Sequence, residues 1–250
     1  MTLINKVAAE DLFQGLNPED EQAKDRRAEF IGGGLAKIVE GFETLLEKIS
    51  LDRHMVDDSY NIALEVSPRN CSAIDIEKFS QILPMFEGRD VRSNELAEDY
   101  FGYYLSAVTY LAKDNRIVIH TAHLKKAPEA IGIGNDGKSI IVRGSVGARI
   151  GNDMRAGIII INGDIEGDAC NDMHGGCVLV RGSVNASKYY EDGIGHLAKG
   201  GTLRVMGEFS GHVNDWRDNC RGGSDLAGHS KRGLTVYHRG ELIMKNGERI

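Results

Sequence analysis

Cys170, His174 and Cys177 lie close together in the sequence and could bind a metal ion. Thiolate and imidazole groups are good ligands for zinc or iron. A 19-residue repeat in this half of the chain argues against a shared site, because Cys170 aligns with Gly151 and Cys177 aligns with Ile158. The three side chains are therefore expected on different parts of one repeat unit. We predict small-residue packing at these positions, with no bound metal and no cofactor.

Two Asn-Asp pairs and four later histidines are the other polar candidates. The pairs Asn152-Asp153 and Asn171-Asp172 could supply a general base, but they recur at the period of the repeat. Such repetition favours a structural ladder, in which stacked asparagine amides satisfy the backbone groups of successive turns. The histidines match no ligand spacing, and we interpret them as surface residues. They are His196, His212, His229 and His238.

The repeat itself must position all of these candidates. Gly144, Gly163 and Gly182 mark its period of 19 residues, and a short apolar strand precedes each of them. Self-similarity of this kind is typical of solenoids, whose coils stack on one another. We predict a parallel β-helix of about four to six coils. Its inward residues are expected to be Ile140 and Val142, Ile159 and Ile161, Val178 and Val180, and Leu203 and Val205.

Ile141, Ile160 and Leu179 lie between these inward positions and must point outward, because strand side chains alternate between the two faces of a sheet. A solvated sheet would carry polar groups there. We therefore predict that this apolar stripe is an interface. Either the helices of the first half of the chain or a partner protein would cover it.

Residues 1–113 have the apolar spacing of helices. Leu35, Ile38, Phe42, Leu45 and Ile49 form one stripe of a helix that begins near Gly34. A second helix is predicted from Asp75 to Leu83, ended by Pro84, and a third from Asn94 to Ala112 after a cap at Ser93. The aromatic run from Tyr100 to Tyr104 lies at helical spacing, and we interpret it as core. The fold class is thus α+β: a helical domain over 1–113, a β-helix over 114–240, and a tail or short hairpin over 241–250.

The glycine pattern resembles that of a known family. The segment Gly144–Gly151, followed by Met154 and Gly157, is similar to the Gly-x-x-Gly-x-x-x-Gly (GXGXG) repeat. That repeat occurs in the C-terminal domain of glutamate synthase large subunits and in one non-catalytic subunit of formylmethanofuran dehydrogenase. The resemblance covers roughly residues 130–240, and the compact spacing is more similar to the second protein. It implies a right-handed β-helix without catalytic residues of its own, which braces the catalytic subunits of an oxidoreductase complex. Asn185 and Tyr189 depart from the glycine pattern, and the helical half resembles neither family.

Two insertions interrupt the repeat at the same portion of the coil. The interval from Gly182 to Gly207 is six residues longer than the period, and that from Gly207 to Gly240 is 14 residues longer. Insertions at equivalent positions of a solenoid project from one face, which is often the binding face. We predict contact with a partner or ligand there, with capping of the coil stack as the alternative. The candidate residues are Tyr189, Tyr190, Asp192, Trp216, Arg217, Asp218, Cys220 and Arg221.

The composition of the chain limits which partners and classes of function are expected. A net charge of −7, spread over short runs, argues against a nucleic-acid partner, and no window has the roughly 20 apolar residues of a membrane span. Four cysteines without a Cys-x-x-Cys pair fit the cytoplasm. We predict a non-catalytic scaffold subunit of a multi-subunit enzyme. Two alternatives remain open: a glutamate-synthase-related amidotransferase or oxidoreductase component with a site between the helical half and the insertions, and a homo-oligomer that pairs its outward stripe.

Overall fold

The computed structural model describes residues 33–51, 58–92, 95–186, 193–211, 213, 233–245 and 248–249. These residues form an α+β fold in which four α-helices precede a parallel-strand solenoid of about four turns. The predicted α+β class, with helices ahead of a stack of parallel strands, is therefore confirmed. None of the described helices is long and apolar enough to span a membrane.

The described helices lie in the first half of the chain. They are α1 (Gly33–Leu51), α2 (Ser59–Val66), α3 (Ala73–Ile82) and α4 (Phe101–Leu111). The apolar stripe predicted for α1 is confirmed, since its five residues are all at most 2 % exposed. Short 3-10 helices follow α3 at Leu83–Phe86 and precede α4 at Ala97–Tyr100.

The helix boundaries agree with the sequence at α3 and differ at α4. Pro84 lies in the 3-10 helix that ends α3, as predicted, because proline lacks the N–H that an α-helix interior needs. The predicted start of the third helix at Asn94 is wrong. A hairpin of β1 (Asp90–Arg92) and β2 (Glu95–Leu96) occupies this region, and α4 begins only at Phe101. The Asp99 carboxylate accepts a hydrogen bond from the Leu96 N–H at 2.8 Å and stabilises this turn.

The helical half has an aromatic core centred on Phe42. The Phe42 ring lies 5.1 to 5.7 Å from the rings of Phe79, Phe86, Phe101 and Tyr104. The buried Tyr104 hydroxyl donates a hydrogen bond to the Ile38 carbonyl at 2.6 Å, so its polar end is satisfied. The aromatic run is therefore core at Tyr100, Phe101 and Tyr104, whereas Tyr103 is only half-buried.

The solenoid contains one long sheet and one short sheet. The parallel strands of the long sheet are β3 (Arg116–His120), β4 (Asp136–Arg143), β5 (Ala156–Ile161), β7 (Cys177–Val180), β9 (Thr202–Val205) and β11 (Thr235–His238). Antiparallel β12 (Glu241–Lys245) and β13 (Glu248–Arg249) extend this sheet. The short sheet pairs β6 (Ile165–Glu166), β8 (Val184–Asn185) and β10 (Phe209–Ser210) in parallel.

The predicted inward ladder is confirmed by the register of the long sheet. Ile140, Ile159, Val178 and Leu203 are consecutive partners across β4, β5, β7 and β9, and each is at most 1 % exposed. Each fully buried aliphatic side chain of this kind contributes about 1.5–3 kcal/mol relative to an exposed one. Stacking of like residues on like residues therefore contributes to the stability of the solenoid.

The marker glycines stack directly on one another. A β-carbon added at Gly163 would lie 2.5 Å from the carbonyl carbon of Gly144, and one at Gly182 would lie 2.5 Å from the oxygen of Gly163. Gly207 repeats this relation with Gly182. No side chain fits at this corner, which explains why glycine marks the period.

The helices cap the first strand of the solenoid. Ser80 of α3 accepts a hydrogen bond from the His120 N–H at 3.0 Å, and the Asp114 carboxylate accepts one from the Ala73 N–H at 2.7 Å. Helix α3 thus runs alongside β3, whose other edge pairs with β4. Solenoids need such a cap, because the unpaired N–H and C=O groups of an open edge strand can form hydrogen bonds with other chains. The contacts of the helices with the sheet are concentrated at this edge strand, so the outward stripe is not their main contact.

Candidate functional site

The outer face of the long sheet carries a continuous apolar stripe. Register places Val118, Ile141, Ile160 and Leu179 one above another on β3, β4, β5 and β7. The stripe continues into Arg204 and Tyr237 on β9 and β11. Its four aliphatic residues are half-buried, whereas their inward neighbours are fully buried. The stripe is thus an accessible surface of stacked aliphatic side chains.

Two further columns flank this stripe on the same face. One contains Ser139, Ile158, Cys177 and Thr202, which add half-buried and mostly apolar surface. The other contains His120 and Arg143, followed by Asn162, Arg181 and Met206 where the strands end. In the three columns, across the described strands from β3 to β11, no position holds aspartate or glutamate. We call these three columns the outer face.

The charged groups of the outer face are mainly guanidinium groups. Arg143 and Arg181 are exposed at one margin, and Arg204 lies within the stripe with its guanidinium carbon 4.3 Å from the Tyr237 ring centroid. Glu77 of α3 reaches the rim at β3 and β4. Its Oε1 lies 2.9 Å from His120 Nε2 and 3.9 Å from Arg143 Nη1. The face is therefore apolar in its centre and cationic at its margin.

The Asn-Asp pairs form the predicted structural ladder. Asn152 Oδ1 accepts a hydrogen bond from the Asn171 N–H at 3.1 Å, and Asn171 Oδ1 accepts one from the His196 N–H at 2.8 Å. The following residues Asp153 and Asp172 have φ of 55° and 52°, a left-handed conformation that aspartate tolerates better than most residues. The asparagine side chains thus satisfy backbone groups of successive turns, as the predicted structural ladder requires.

A second polar ladder follows the marker glycines, and the sequence reasoning missed it. Ser145 Oγ accepts from the Asp164 N–H at 3.1 Å, Asp164 Oδ1 from the Ser183 N–H at 2.6 Å, and Ser183 Oγ from the Glu208 N–H at 3.0 Å. The signal was present, because a short polar residue follows Gly144, Gly163 and Gly182. These side chains also join adjacent coils.

The cysteines and histidine of the metal hypothesis lie in different environments. Cys170 is fully buried with φ of 61°, and burial raises the pKa of its thiol. His174 is exposed with its Nε2 3.4 Å from Lys199 Nζ, and Cys177 belongs to the outer face. Within the described ranges, no three His, Cys, Asp or Glu side chains come together as metal ligands.

The later histidines are less exposed than expected. His196 and His238 are half-buried, so their side chains are only partly exposed at the surface. His238 Nε2 lies 2.9 Å from the Gly207 carbonyl oxygen, and the His196 backbone takes part in the asparagine ladder. His212 and His229 lie outside the described residues.

A cleft of about 210 Å³ lies between the helical half and the first coil, and the sequence did not indicate it. Two pairs of polar groups lie at this cleft: the Tyr103 hydroxyl accepts a hydrogen bond from Arg149, and Asp99 pairs with Lys126 at 2.6 Å. The partners of the first pair are 46 residues apart, which explains why no local motif marked them. The carboxylates of Glu95 and Glu129 also line this cleft.

The predicted binding face at the insertions lies outside the described residues. Its residues are Tyr189, Tyr190, Asp192, Trp216, Arg217, Asp218, Cys220 and Arg221. The flanking described positions are Ala186 and Gly193 for the first insertion, and Val213 and Gly233 for the second. The role of the insertions as a binding face stays a prediction.

The fold and its outer face define this protein as a parallel-strand β-solenoid with a helical end cap. No protein-family model matches the chain, and neither the curated proteins nor the solved structures contain a match. The resemblance to the glutamate synthase and formylmethanofuran dehydrogenase repeat therefore rests on the glycine motif alone and stays a prediction.

Proposed function

We propose that this chain is a non-catalytic scaffold subunit of a multi-subunit enzyme and binds a partner protein through its outer face. The outer face carries the proposal: stacked aliphatic residues stay accessible there, arginines lie at the margin, and the columns hold no carboxylate. Large apolar patches on soluble proteins commonly mark interaction sites. Arginine is enriched at protein interfaces, whereas aspartate and glutamate are depleted.

The proposal extends to the handedness and the family of the solenoid. We propose a right-handed β-helix that resembles the GXGXG-repeat subunit of formylmethanofuran dehydrogenase, supported by the glycine pattern. General topology also supports this hand, since about 98 % of crossovers between parallel strands of one sheet are right-handed. The cytoplasm is the proposed location, consistent with the free thiols of Cys71, Cys170 and Cys177.

The use of polar groups within the described solenoid favours a scaffold over an enzyme. Asn152 and Asn171 join coils at one corner, and Ser145, Asp164 and Ser183 join them at another. Each of these side chains accepts a hydrogen bond from a backbone N–H of the next coil. They stabilise the coil stack, and a rigid stack is what a bracing subunit requires.

Purification from native extract tests the proposal. We expect the tagged wild-type chain to elute with one or more other polypeptides, and the Leu179→Asp variant to elute alone, because the substitution places a charge in the centre of the apolar stripe. Leu51→Asp is the matched control, since Leu51 is 80 % exposed at the end of α1 and belongs to none of the three columns. Recovery of the wild-type chain only as a free monomer would contradict the proposal.

The second candidate is a catalytic component with a site between the helical half and the insertions. The cleft beside Tyr103 and Arg149 supports only the helical side of such a site: carboxylates of Glu95 and Glu129 line it where the helical half meets the first coil. Alanine substitutions at Asp218, Cys220 and His229 are then expected to abolish a measured amide- or formyl-transfer activity. An activity untouched by all three would exclude the site as proposed.

A further inference from the structure

A cover that is both apolar and acidic would complement the outer face. Its centre is formed by half-buried aliphatic side chains, among them Ile160 and Leu179, and its margin by the exposed Arg143 and Arg181. A second copy of the same face would bring arginines against arginines, since its columns contain no carboxylate. Charge complementarity therefore disfavours symmetric pairing of two outer faces.

One segment of this chain has the required composition. Residues 1–23 contain five carboxylate side chains, at positions 10, 11, 19, 20 and 21, against the single cationic side chain of Lys6. After Met1 they also contain six large apolar residues: Leu3, Ile4, Val7, Leu12, Phe13 and Leu16. This segment lies outside the described residues, and it combines the apolar and acidic groups that would complement the outer face.

The segment joins the described chain beside the first strand of the sheet. Gly34, at the start of α1, lies against Asp75 of α3, so closely that an added β-carbon would be 2.1 Å from its carboxylate. The start of α3 is itself hydrogen-bonded to Asp114, two residues before β3. Residues 1–32 thus connect to the molecule next to the edge of the outer face.

Residues 1–23 are long enough to cross the outer face. Six strands spaced about 4.8 Å apart give an outer face about 24 Å across. Twenty-three residues span about 35 Å as a helix and about 75 Å when extended. Residues 24–32 then remain as a connection to Gly33.

We propose that residues 1–23 cover the outer face of the same chain when no partner is bound. Their carboxylates lie near the arginine margin, and their apolar residues pack on the stripe around Ile160 and Leu179. The inference goes beyond the proposed function, because it concerns the free chain and holds whether or not a partner protein exists. A partner would then have to displace the segment.

Alkylation of Cys177 in the full-length chain tests this inference. Cys177 is a half-buried thiol of the outer face, and fully buried Cys170 serves as an internal control for unfolding. N-Ethylmaleimide labelling is followed by peptide mass spectrometry. The double variant Leu12→Asp/Leu16→Asp is expected to accelerate labelling of Cys177 by about fivefold. This is the increase expected if residues 1–23 cover the face about 80 % of the time in the wild type and no longer cover it in the variant. Replacement of all five acidic residues by Gln or Asn should also accelerate the labelling of Cys177. Addition of 1 M salt to the wild type should have the same effect.

The control changes charge outside the acidic segment. Asp25→Asn lies in the mixed-charge stretch after residue 23 and should leave the labelling rate unchanged. Equal Cys177 rates in wild type and all variants would overturn the inference, and so would a wild-type rate that rises on dilution, since this would identify a second copy as the cover.

A cross-linking measurement gives an independent readout in a Cys220→Ser background. Under mild oxidation, Val7→Cys is expected to form an intrachain disulfide with Cys177, whereas Leu51→Cys is not. Absence of that disulfide at Val7→Cys and at Leu12→Cys would also overturn the inference. Either failure leaves co-purification of a partner unaffected, so it is distinguishable from failure of the proposed function.

Discussion

Substitution of Gly163 by alanine tests the stacking that defines the solenoid. The added β-carbon would lie 2.5 Å from the Gly144 carbonyl carbon and 2.6 Å from both the Gly144 oxygen and the Ser145 nitrogen. Carbon atoms in favourable contact are about 3.5 Å apart or more, so the two coils must separate locally by about 1 Å. All three atoms belong to backbone, which cannot rotate away.

The same coils are held together on both sides of the glycine. The Asn162 N–H donates to the Val142 carbonyl at 2.9 Å, and the Val146 N–H donates to the Asp164 carbonyl at 2.9 Å. Separation by about 1 Å weakens both bonds, each with a net contribution of about 1 kcal/mol. Overpacking adds about 1–3 kcal/mol. The free energy of unfolding should therefore fall by about 3 kcal/mol.

Urea denaturation followed by circular dichroism measures this change, with Gly33→Ala as the matched control. An added β-carbon at Gly33 has no atom within 4 Å, so this variant should be as stable as the wild type or slightly more stable. A loss below about 0.5 kcal/mol for Gly163→Ala, within the range of ordinary surface substitutions, would refute the proposed role of the glycine ladder.

Three further predictions concern the polar groups. Asn171→Ala removes the acceptor for the His196 N–H and should lower the free energy of unfolding by about 2 kcal/mol in urea denaturation; no loss would contradict the ladder. Ser80→Ala leaves the His120 N–H of β3 without its acceptor and should lower the free energy of unfolding by about 1–2 kcal/mol in the same measurement; equal stability of this variant and the wild type would argue against the edge cap. Burial raises the pKa of Tyr60 from 10.0 to about 12, so the stability that its neutral hydroxyl contributes is present below pH 10 and is lost as the pH rises through 12. Tyr60→Phe should reduce the loss of stability at alkaline pH and remove one late-titrating tyrosine from the ultraviolet titration. Unchanged curves would contradict burial of the Tyr60 hydroxyl.

The repeat made the solenoid predictable. Coils of equal length place residue i beside residue i+19, so the pairing of Ile140 with Ile159 and of Asn152 with Asn171 could be read by alignment of the sequence with itself. The ladder at Ser145 and Asp164 was readable in the same way. Within the repeat, the 19-residue offset thus predicts both the strand register and the polar ladders.

Contacts outside the repeat could not be read in this way. Ser80 meets His120 across 40 residues and Tyr103 meets Arg149 across 46, and no periodic signal links either pair. The start of α4 was misplaced for another reason. Apolar residues at Leu96 and Tyr100 continue the helical spacing through a hairpin strand and a 3-10 turn, so periodicity alone did not show the boundary.

Site-specific photo-cross-linking in native cells tests most directly whether the outer face binds a partner. A benzophenone amino acid replaces Ile160 in the centre of the stripe, and Leu51 is the control position. The proposed function predicts a cross-link from position 160 to one defined polypeptide other than this chain, and none from position 51. Cross-links from position 160 to this chain alone, or to no protein, would contradict it.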